Sequence, residues 1–169
     1  MLKALVESVE SSDAQLAARL SEATTGEAQQ AVLVQAGITI KVAPENNRLR
    51  IFQDPAKFGL IVGNLIQNGL HFRRRSLQVV LDREGADLII AVEDDGPGIP
   101  PEHHAAVFER YKQLPIHDGL ERKGHGLGLA GALILARRLG GDISLDSLPG
   151  QGATFRFSIP CDPAPTKSS

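Results

Sequence analysis

The sequence has few of the features that would place it in a specialised structural class. A single cysteine among 169 residues excludes a disulfide framework and a cysteine-based metal site within the chain. Its longer apolar runs, such as residues 88–92, are far too short to cross a bilayer. The formal net charge is only −2, which does not favour binding to nucleic acid. The sequence therefore predicts a cytoplasmic protein with no transmembrane segment in this chain and no nucleic-acid partner.

The composition provides enough apolar material for a folded core. Apolar residues make up 42% of the chain, and 169 residues fit one domain, or one domain plus a short appendage. Glycine is in excess, because 17 of 169 residues is about a tenth against a usual share of roughly 7%. Eleven of these glycines lie between Gly96 and Gly152. Leu, Ile and Val run through the same region, so it is not a flexible linker.

Hydrophobic periodicity predicts an alternation of helices and strands along the chain. The predicted helices cover residues 2–22, 27–36, 55–72 and 127–139, with a shorter helical stretch at 102–110. The predicted strands lie at residues 38–42, 49–51, 77–81, 88–93, 143–145 and 154–159. Runs of antiparallel strands interleaved with three or four helices are typical of an α+β two-layer sandwich.

Asn64, Asn68 and His71 form a stripe along one side of the helix that Asp54-Pro55 opens. Carboxamides four residues apart can offer oxygens to a hard cation without adding charge, which suits Mg²⁺ already held by phosphates. The plain structural alternative is a pair of amides satisfied by neighbouring backbone groups. The spacing alone leaves both interpretations open.

Asp94 ends a predicted buried strand and is followed by Gly96 and Gly98. A carboxylate at such a position can accept a hydrogen bond from an exocyclic amine such as that of adenine. The glycines would let the backbone approach a flat ligand closely. The alternative is that Asp-Asp-Gly-Pro-Gly is merely a tight turn.

A glycine-rich segment, Gly124-His125-Gly126-Leu127-Gly128-Leu129, opens the last predicted helix. Glycines just before a helix expose backbone N–H groups at the positive end of its dipole, so this segment could bind phosphate. The polar residues 113–123 precede it and could form a mobile lid over the site. An ordinary surface loop is the alternative.

Taken in order, these motifs resemble the sequence boxes of the catalytic, ATP-binding domain of sensor histidine kinases. The matching segments are Asn64/Asn68, Asp94-x-Gly-x-Gly, Phe108-Glu109-Arg110-Tyr111, Gly124-x-Gly-Leu-Gly-Leu and Gly152-Ala153-Thr154-Phe155. That domain belongs to the wider ATPase group that includes gyrase B and the Hsp90 chaperones. The resemblance implies a Bergerat-type fold, in which a mixed, mostly antiparallel sheet packs on about three helices. The resemblance covers about residues 54–160. We therefore expect an N-terminal helical segment (1–26), an ATP-binding catalytic domain (27–160) and a tail (161–169) whose Pro, Ser and Thr content predicts disorder.

The resemblance also implies binding residues for ATP and Mg²⁺. Asn68 would bind the metal, and Asn64 would contact metal or phosphate. Asp94 would bind the adenine amine, aided by Thr154 through water. The other nucleotide-binding residues would be Gly96, Gly98, Ile99, Phe108, Tyr111, Gly124, Gly126, Leu127 and Gly128. His71 stands where the family usually has Lys, and it could reach phosphate while being only partly charged at pH 7.

The reaction that the resemblance implies is transfer of the ATP γ-phosphoryl group to a histidine nitrogen, upstream of a response regulator. The ATP-hydrolysing relatives carry Glu at the position of Asn64, and Asn cannot take a proton, which favours transfer over hydrolysis. None of the five histidines lies in the His-Glu/Asp-x-x-x-Pro context of the family's phosphoacceptor helix. The phosphoacceptor and dimerisation domain is therefore expected on another polypeptide or on a segment absent from this sequence.

Two alternatives to a histidine kinase domain use the same fold. One is an anti-sigma-type protein that phosphorylates Ser or Thr, which would need a proton acceptor that Asn64 does not supply. The other is a catalytically silent nucleotide-sensing module, in which His71 marks lost catalysis. In that case Arg73 to Arg75 would be a docking patch, although three arginines also suit the negative end of a helix dipole.

Overall fold

The computed structural model describes Val6, Val9 and residues 14–43, 54–109 and 128–161. The elements in these ranges are α1 (Ala14–Glu22), α2 (Gly26–Gln35), β1 (Ile38–Val42), α3 (Pro55–Phe72), β2 (Leu77–Glu84), β3 (Asp87–Asp94), α4 (Gly128–Arg138), β4 (Asp142–Ser147) and β5 (Ala153–Pro160). Two short 3₁₀ helices, Pro101–His103 and Ala106–Phe108, take the place of the helical stretch predicted near residues 102–110. The strand predicted at 49–51, the segment 113–123 and residues 162–169 of the predicted tail lie outside the described residues.

The five strands form one sheet in the order β1-β2-β3-β5-β4. β1 runs parallel to β2, and every other neighbouring pair is antiparallel. The parallel pair needs a crossover, and α3 lies on the connection between its two strands. The expected α+β class with a mixed, mostly antiparallel sheet is confirmed.

Strict alternation of side chains gives the sheet one buried face and one open face. In β2 and β3 the residues of one parity are buried, and their neighbours of the other parity are half-buried or exposed along most of each strand. The buried face is carried by Ile38, Ile40, Leu77, Val79, Leu81, Leu88, Ile90, Val92, Phe155, Phe157 and Ile159. Because α3 and α4 pack together over this face, the polar side chains on their inner sides lie above the sheet.

Helix α3 begins where the sequence predicts. The Asp54 carboxylate accepts hydrogen bonds from the N–H groups of Ala56 and Lys57, and Pro55 occupies the first turn, where its missing N–H costs nothing. The helix buries five large apolar side chains, each contributing about 1.5–3 kcal/mol to folding: Phe58, Ile61, Val62, Leu65 and Ile66. This packing fixes the rotation of α3, and with it the direction of its polar stripe.

The apolar residues described in the N-terminal segment pack into the same core as the rest of the described chain. Val6 and Val9 are helical and buried, and Leu16 and Leu20 of α1 are buried with them. All four belong to the hydrophobic cluster that contains the sheet and α3. No helix within the described ranges is long and apolar enough to span a membrane.

Candidate functional site

The site has two ends, which lie on different elements. The loop end comprises residues 94–99 and 147–153, at one end of β3, β4 and β5. The helix end comprises Asn64, Asn68 and His71 of α3 with Gly128 at the start of α4. The two ends meet at the C-terminus of α3, because a Cβ on Gly96 would lie 2.5 Å from the carbonyl oxygen of Phe72.

Asp94 carries a buried carboxylate on the helix-covered face of the sheet. The residue is 4% exposed, and its carboxylate accepts a hydrogen bond from the N–H of Gly96 at 2.9 Å. Burial raises the pKa of this carboxyl to about 6, against the opposing effect of hydrogen bonds from the N–H groups of Gly96 and Ala153. A buried carboxylate with remaining acceptor capacity is suited to hold a polar N–H donor of a ligand.

The register of β3 and β5 separates Thr154 from Asp94. Asp94 pairs with Ala153, whereas Thr154 pairs with the exposed Glu93 on the open face of the sheet. Because paired residues in an antiparallel ladder point to the same face, Ala153 shares the face of Asp94 and Thr154 does not. The structure thus does not bring Thr154 together with Asp94, contrary to the adenine contact expected from the sequence.

The loop after Asp94 is fastened to the turn between β4 and β5. The hydroxyl of Ser147 donates to the carbonyl of Gly152 at 2.6 Å and accepts from the N–H of Ile99 at 2.8 Å. The N–H of Gly150 donates to the carbonyl of Pro97 at 2.6 Å. These three hydrogen bonds hold the backbone around Ile99 in one position.

Two further contacts complete the loop end. Nε2 of His104 hydrogen-bonds the carbonyl oxygen of Ile99 at 3.0 Å. Gly98 has φ +72° and packs so closely on the backbone of Leu148 that a side chain there would overlap its carbonyl. The predicted turn is therefore real, and it is built into the wall of the site rather than standing free at the surface.

At the helix end the carboxamide of Asn64 faces the beginning of α4. Its Nδ2 donates to the carbonyl of Leu60 one turn earlier at 2.7 Å, so its nitrogen is satisfied by the helix backbone. A Cβ on Gly128 would lie 2.7 Å from Oδ1 of Asn64. The glycine therefore makes room for this oxygen, the atom of the amide that can bind a cation or accept a hydrogen bond.

Asn68 and His71 continue the stripe toward the C-terminus of α3. Both side chains are half-buried, and the His71 ring meets the Phe72 ring edge-on at a centroid distance of 4.6 Å. The structure thus brings Asn64, Asn68 and Gly128 to one region, with His71 closer to the loop end. The carboxamide oxygens of Asn64 and Asn68 carry no formal charge, and hard divalent cations accept such oxygens as ligands alongside phosphate oxygens.

Phe108 lies at the edge of the core. Its half-buried ring meets Phe155 edge-on at 6.2 Å. Tyr111, Gly124, Gly126 and Leu127, also predicted to bind nucleotide, lie outside the described residues. Among the residues that are described, no group of three or more His, Cys, Asp or Glu side chains could hold a metal ion.

Sequence reasoning overlooked two residues of the loop end. Ser147 is, with Asp94, one of the two buried polar residues found in the described part of the chain. The sequence contained a signal for Ser147. It lies two residues after Leu145 and four after Ile143, so it continues the inward-facing positions of β4 with a hydroxyl in place of an apolar side chain. Asp95 accepts hydrogen bonds from three consecutive backbone N–H groups of residues 74–76, a contact that no local pattern announces.

Comparison with known proteins agrees with this arrangement. The family model described as histidine kinase-, DNA gyrase B- and HSP90-like ATPase matches residues 53–163. The signal transduction histidine-protein kinase AfsQ2 of Streptomyces coelicolor is 36% identical over 112 residues, which are 66% of this chain and 21% of the relative. The circadian input-output histidine kinase CikA of Synechococcus elongatus is 38% identical over 118 residues, 68% of this chain and 16% of the relative. The chain thus spans about a fifth or less of these relatives.

Solved structures share the fold over nearly the whole chain. The mycobacterial sensor histidine kinase MprB superposes with a TM-score of 0.71 at 22% identity, covering 97% of both chains. Full-length ShkA in complex with AMPPNP gives a TM-score of 0.64 at 24% identity, covering 99% of this chain and 32% of that one. At these identities the likeness concerns the fold, and it includes the N-terminal helices.

Proposed function

The chain belongs to the family of histidine kinase-, DNA gyrase B- and HSP90-like ATPases, and from that premise we propose that it transfers the γ-phosphoryl group of ATP to a histidine of a separate domain. It corresponds to the catalytic ATP-binding domain of sensor histidine kinases. The acceptor would be carried by a dimerisation domain, and a response regulator would receive the group afterwards. A cytoplasmic location follows from the need for ATP.

The observation that carries the proposal is the buried Asp94 carboxylate beside the end of the helix with Asn64 and Asn68. A carboxylate in this position would accept a hydrogen bond from the exocyclic amine of adenine, and a base lacking that donor would leave the remaining acceptor position of the buried Asp94 unused. Gly96, Gly98 and Ile99 would form the backbone wall against the ring. Base recognition would therefore depend on one side chain and on the shape of the loop end.

The helix end would hold the triphosphate. Asn68 and Asn64 would supply oxygens for Mg²⁺, and Gly128 would expose the first N–H groups of α4 to phosphate. This side of the site would be completed by Gly124, Gly126, Leu127 and Tyr111, and His71 would contact phosphate. When bound, the cation supplies charge neutralisation to the β- and γ-phosphates.

The chemistry needs positioning more than proton transfer. A neutral imidazole nitrogen attacks the γ-phosphorus, a P–N bond forms, and the bond to the bridging oxygen breaks with ADP leaving with its electron pair. The imidazole then loses its N–H proton to solvent. Asn64 has no proton-accepting state, so water would not be activated there and the acceptor histidine would compete well against hydrolysis.

Nucleotide titration tests the binding step. We expect Mg²⁺-ATP to bind the wild-type chain, and Asp94→Asn to lower its affinity by about 100-fold or more, because the amide offers a donor where the ligand needs an acceptor. The matched control is Glu93→Gln, which makes the same chemical change one residue away on the open face of the sheet. Equal affinity in wild type and Asp94→Asn, measured calorimetrically, contradicts the ATP site.

Phosphoryl transfer is tested with labelled ATP and candidate phosphoacceptor domains. Acid-labile, base-stable label on the acceptor is the expected product, as phosphohistidine requires. Acid-stable label would assign the protein to the Ser/Thr kinases of this fold. Tight ATP binding without transfer to any acceptor would instead indicate the nucleotide-sensing module.

A further inference from the structure

Asp95 lies where the loop end and the helix end meet, and neither end uses it for the ligand. Its carboxylate accepts hydrogen bonds from the N–H groups of Arg74, Arg75 and Ser76 at 2.9 to 3.1 Å. These three residues follow α3 directly, one turn beyond the stripe of polar side chains. Asp95 itself follows Asp94. The contact therefore joins the chain segments that carry the two halves of the site.

Three donors converging on one carboxylate make this link directional. Partial burial would raise the pKa of Asp95, but the backbone N–H groups of Arg75, Ser76 and Arg74 outweigh it and lower the pKa to about 2. The group stays ionised throughout the physiological range, and charge-assisted hydrogen bonds of this kind are the stronger ones. An apolar contact in the same place would fill space without fixing orientation.

The surrounding backbone leaves little room for an alternative arrangement. A side chain on Gly96 would meet both Oδ1 of Asp94, at 2.6 Å, and the carbonyl of Phe72. On the other side, Nη1 of Arg73 donates to the carbonyl of Ala36 at 2.8 Å, which ties the same connection to the end of α2. The segment after α3 is thus a fixed point against which Asp95 holds the loop.

Resting on the proposed function, we propose that Asp95 is a positioning residue that sets the distance between the base-binding loop and the phosphate-binding helix. The affinity of a ligand that contacts both ends depends on this distance, whereas the affinity of a ligand confined to the loop end does not. ATP and adenosine form such a pair. Loss of the carboxylate should therefore change the ratio of their affinities, which general loosening of the fold would leave unaltered.

The test measures dissociation constants of Mg²⁺-ATP and of adenosine for the full chain by calorimetry, at a temperature where circular dichroism shows each variant folded. Asp95→Ala is expected to weaken ATP about tenfold, as the loss of charge-assisted bonds implies, and to change adenosine affinity by less than about threefold. Asp95→Asn should lie between, because it keeps Oδ1 but turns an amide donor toward the N–H of Arg75, which lies 3.1 Å from Oδ2.

Two controls separate positioning from stability. Asp146→Ala removes a carboxylate from the open face of the sheet, and Ile143→Val loosens the core at the far end of β4. Both should leave the ratio of the two affinities as in wild type. If Asp95→Ala does not fold, the comparison is made with Asp95→Asn against the same controls.

The outcomes are distinct for the two proposals. Unchanged ATP affinity in the folded Asp95 variants, or an equal loss for ATP and adenosine, overturns the positioning role while wild-type binding keeps the ATP site. If the wild-type protein binds neither Mg²⁺-ATP nor adenosine, the proposed function is overturned, and the role of Asp95 is overturned with it.

Discussion

The loop end and the helix end of the site differ in how many of their polar groups are already paired. At the loop end Asp94, Asp95, Ser147 and Ile99 all form hydrogen bonds within the protein. Among the described residues of the helix end, Asn64 alone forms a side-chain hydrogen bond within the protein, to the carbonyl of Leu60.

This difference fits the physical demands of the two parts of a nucleotide. Recognition of a flat base by a buried carboxylate depends on a fixed wall, because an unpaired buried charge is costly. Phosphates and a hydrated cation form strong hydrogen bonds and ionic contacts of their own. Half-buried amides can therefore stay hydrogen-bonded to water before the ligand binds, at little cost in free energy. The loop end is preorganised, and the helix end is completed by its ligand.

Removal of the helix-end amide of Asn68 should give the largest difference between the effects on ATP affinity and on adenosine affinity. Asn68→Ala is expected to lower Mg²⁺-ATP affinity by about 30-fold while leaving adenosine affinity unchanged, since the base does not reach that amide. Gln67→Ala is the matched control, because it truncates an exposed neighbour on the same helix. Loss of adenosine binding in Asn68→Ala, seen in parallel titrations, would abolish the division into two ends.

Acidification should weaken the loop end alone. Because the pKa of Asp94 is raised to about 6, adenosine affinity should fall about tenfold between pH 7.5 and pH 5.0 as the acceptor is protonated. Adenosine carries no phosphate, so its affinity reports on the loop end without contacts at the helix end. The same titration on Asp94→Asn should be flat with pH, and a matching decline there would assign the pH dependence to another group.

The raised pKa of Asp94 also affects folding stability, and with the opposite pH dependence: acid lowers adenosine affinity but raises stability. A raised pKa means that Asp94 favours folding below about pH 4 and that this contribution is lost as the pH rises through 6. Without ligand, Asp94→Asn should thus be more stable than wild type at pH 8 by about 3 kcal/mol, and the gain should shrink at pH 5. Urea denaturation at both pH values measures it, and a variant less stable at pH 8 would contradict the cost of this buried charge.

A methyl group at Gly128 should disturb the helix end without unfolding it. Gly128→Ala places a Cβ 2.7 Å from Oδ1 of Asn64, so the carboxamide must move, and Mg²⁺-ATP affinity should fall about fivefold. Gly131→Ala is the matched control on the same helix, where a Cβ meets nothing within 4 Å. Equal affinities in the two variants would show that the position of Asn64 is unimportant.

The smallest expected effect on binding comes from Ser147, whose hydroxyl fastens the loop after Asp94 to the turn between β4 and β5. Ser147→Ala leaves the N–H of Ile99 and the carbonyl of Gly152 without their partner, which should cost about 1–3 kcal/mol of stability. Because other contacts still hold the loop, adenosine and ATP should each weaken only about threefold. Ser144→Ala, on the exposed face of β4, controls for the substitution itself, and a change confined to ATP would place Ser147 with the helix end instead.

Local sequence signals determined most of the element order. Hydrophobic periodicity predicted strands where β2 and β3 lie, and Asp54-Pro55 marked the start of α3, because caps and periodicity act over a few residues. The same signals placed Asn64, Asn68, Asp94 and Gly128 in motifs of known chemistry. The family and the candidate ligands were therefore accessible from sequence alone.

Only the tertiary structure decided which of these residues face one another. The β3–β5 register placed Ala153 rather than Thr154 beside Asp94, since a one-residue difference in pairing reverses the face of a side chain. The roles of Asp95 and Ser147 depend on contacts with backbone groups as far as 48 residues away in the chain, and the sequence does not show which groups those are. Sequence determined which chemical groups are present, and long-range packing decided which are fixed in place before a ligand arrives.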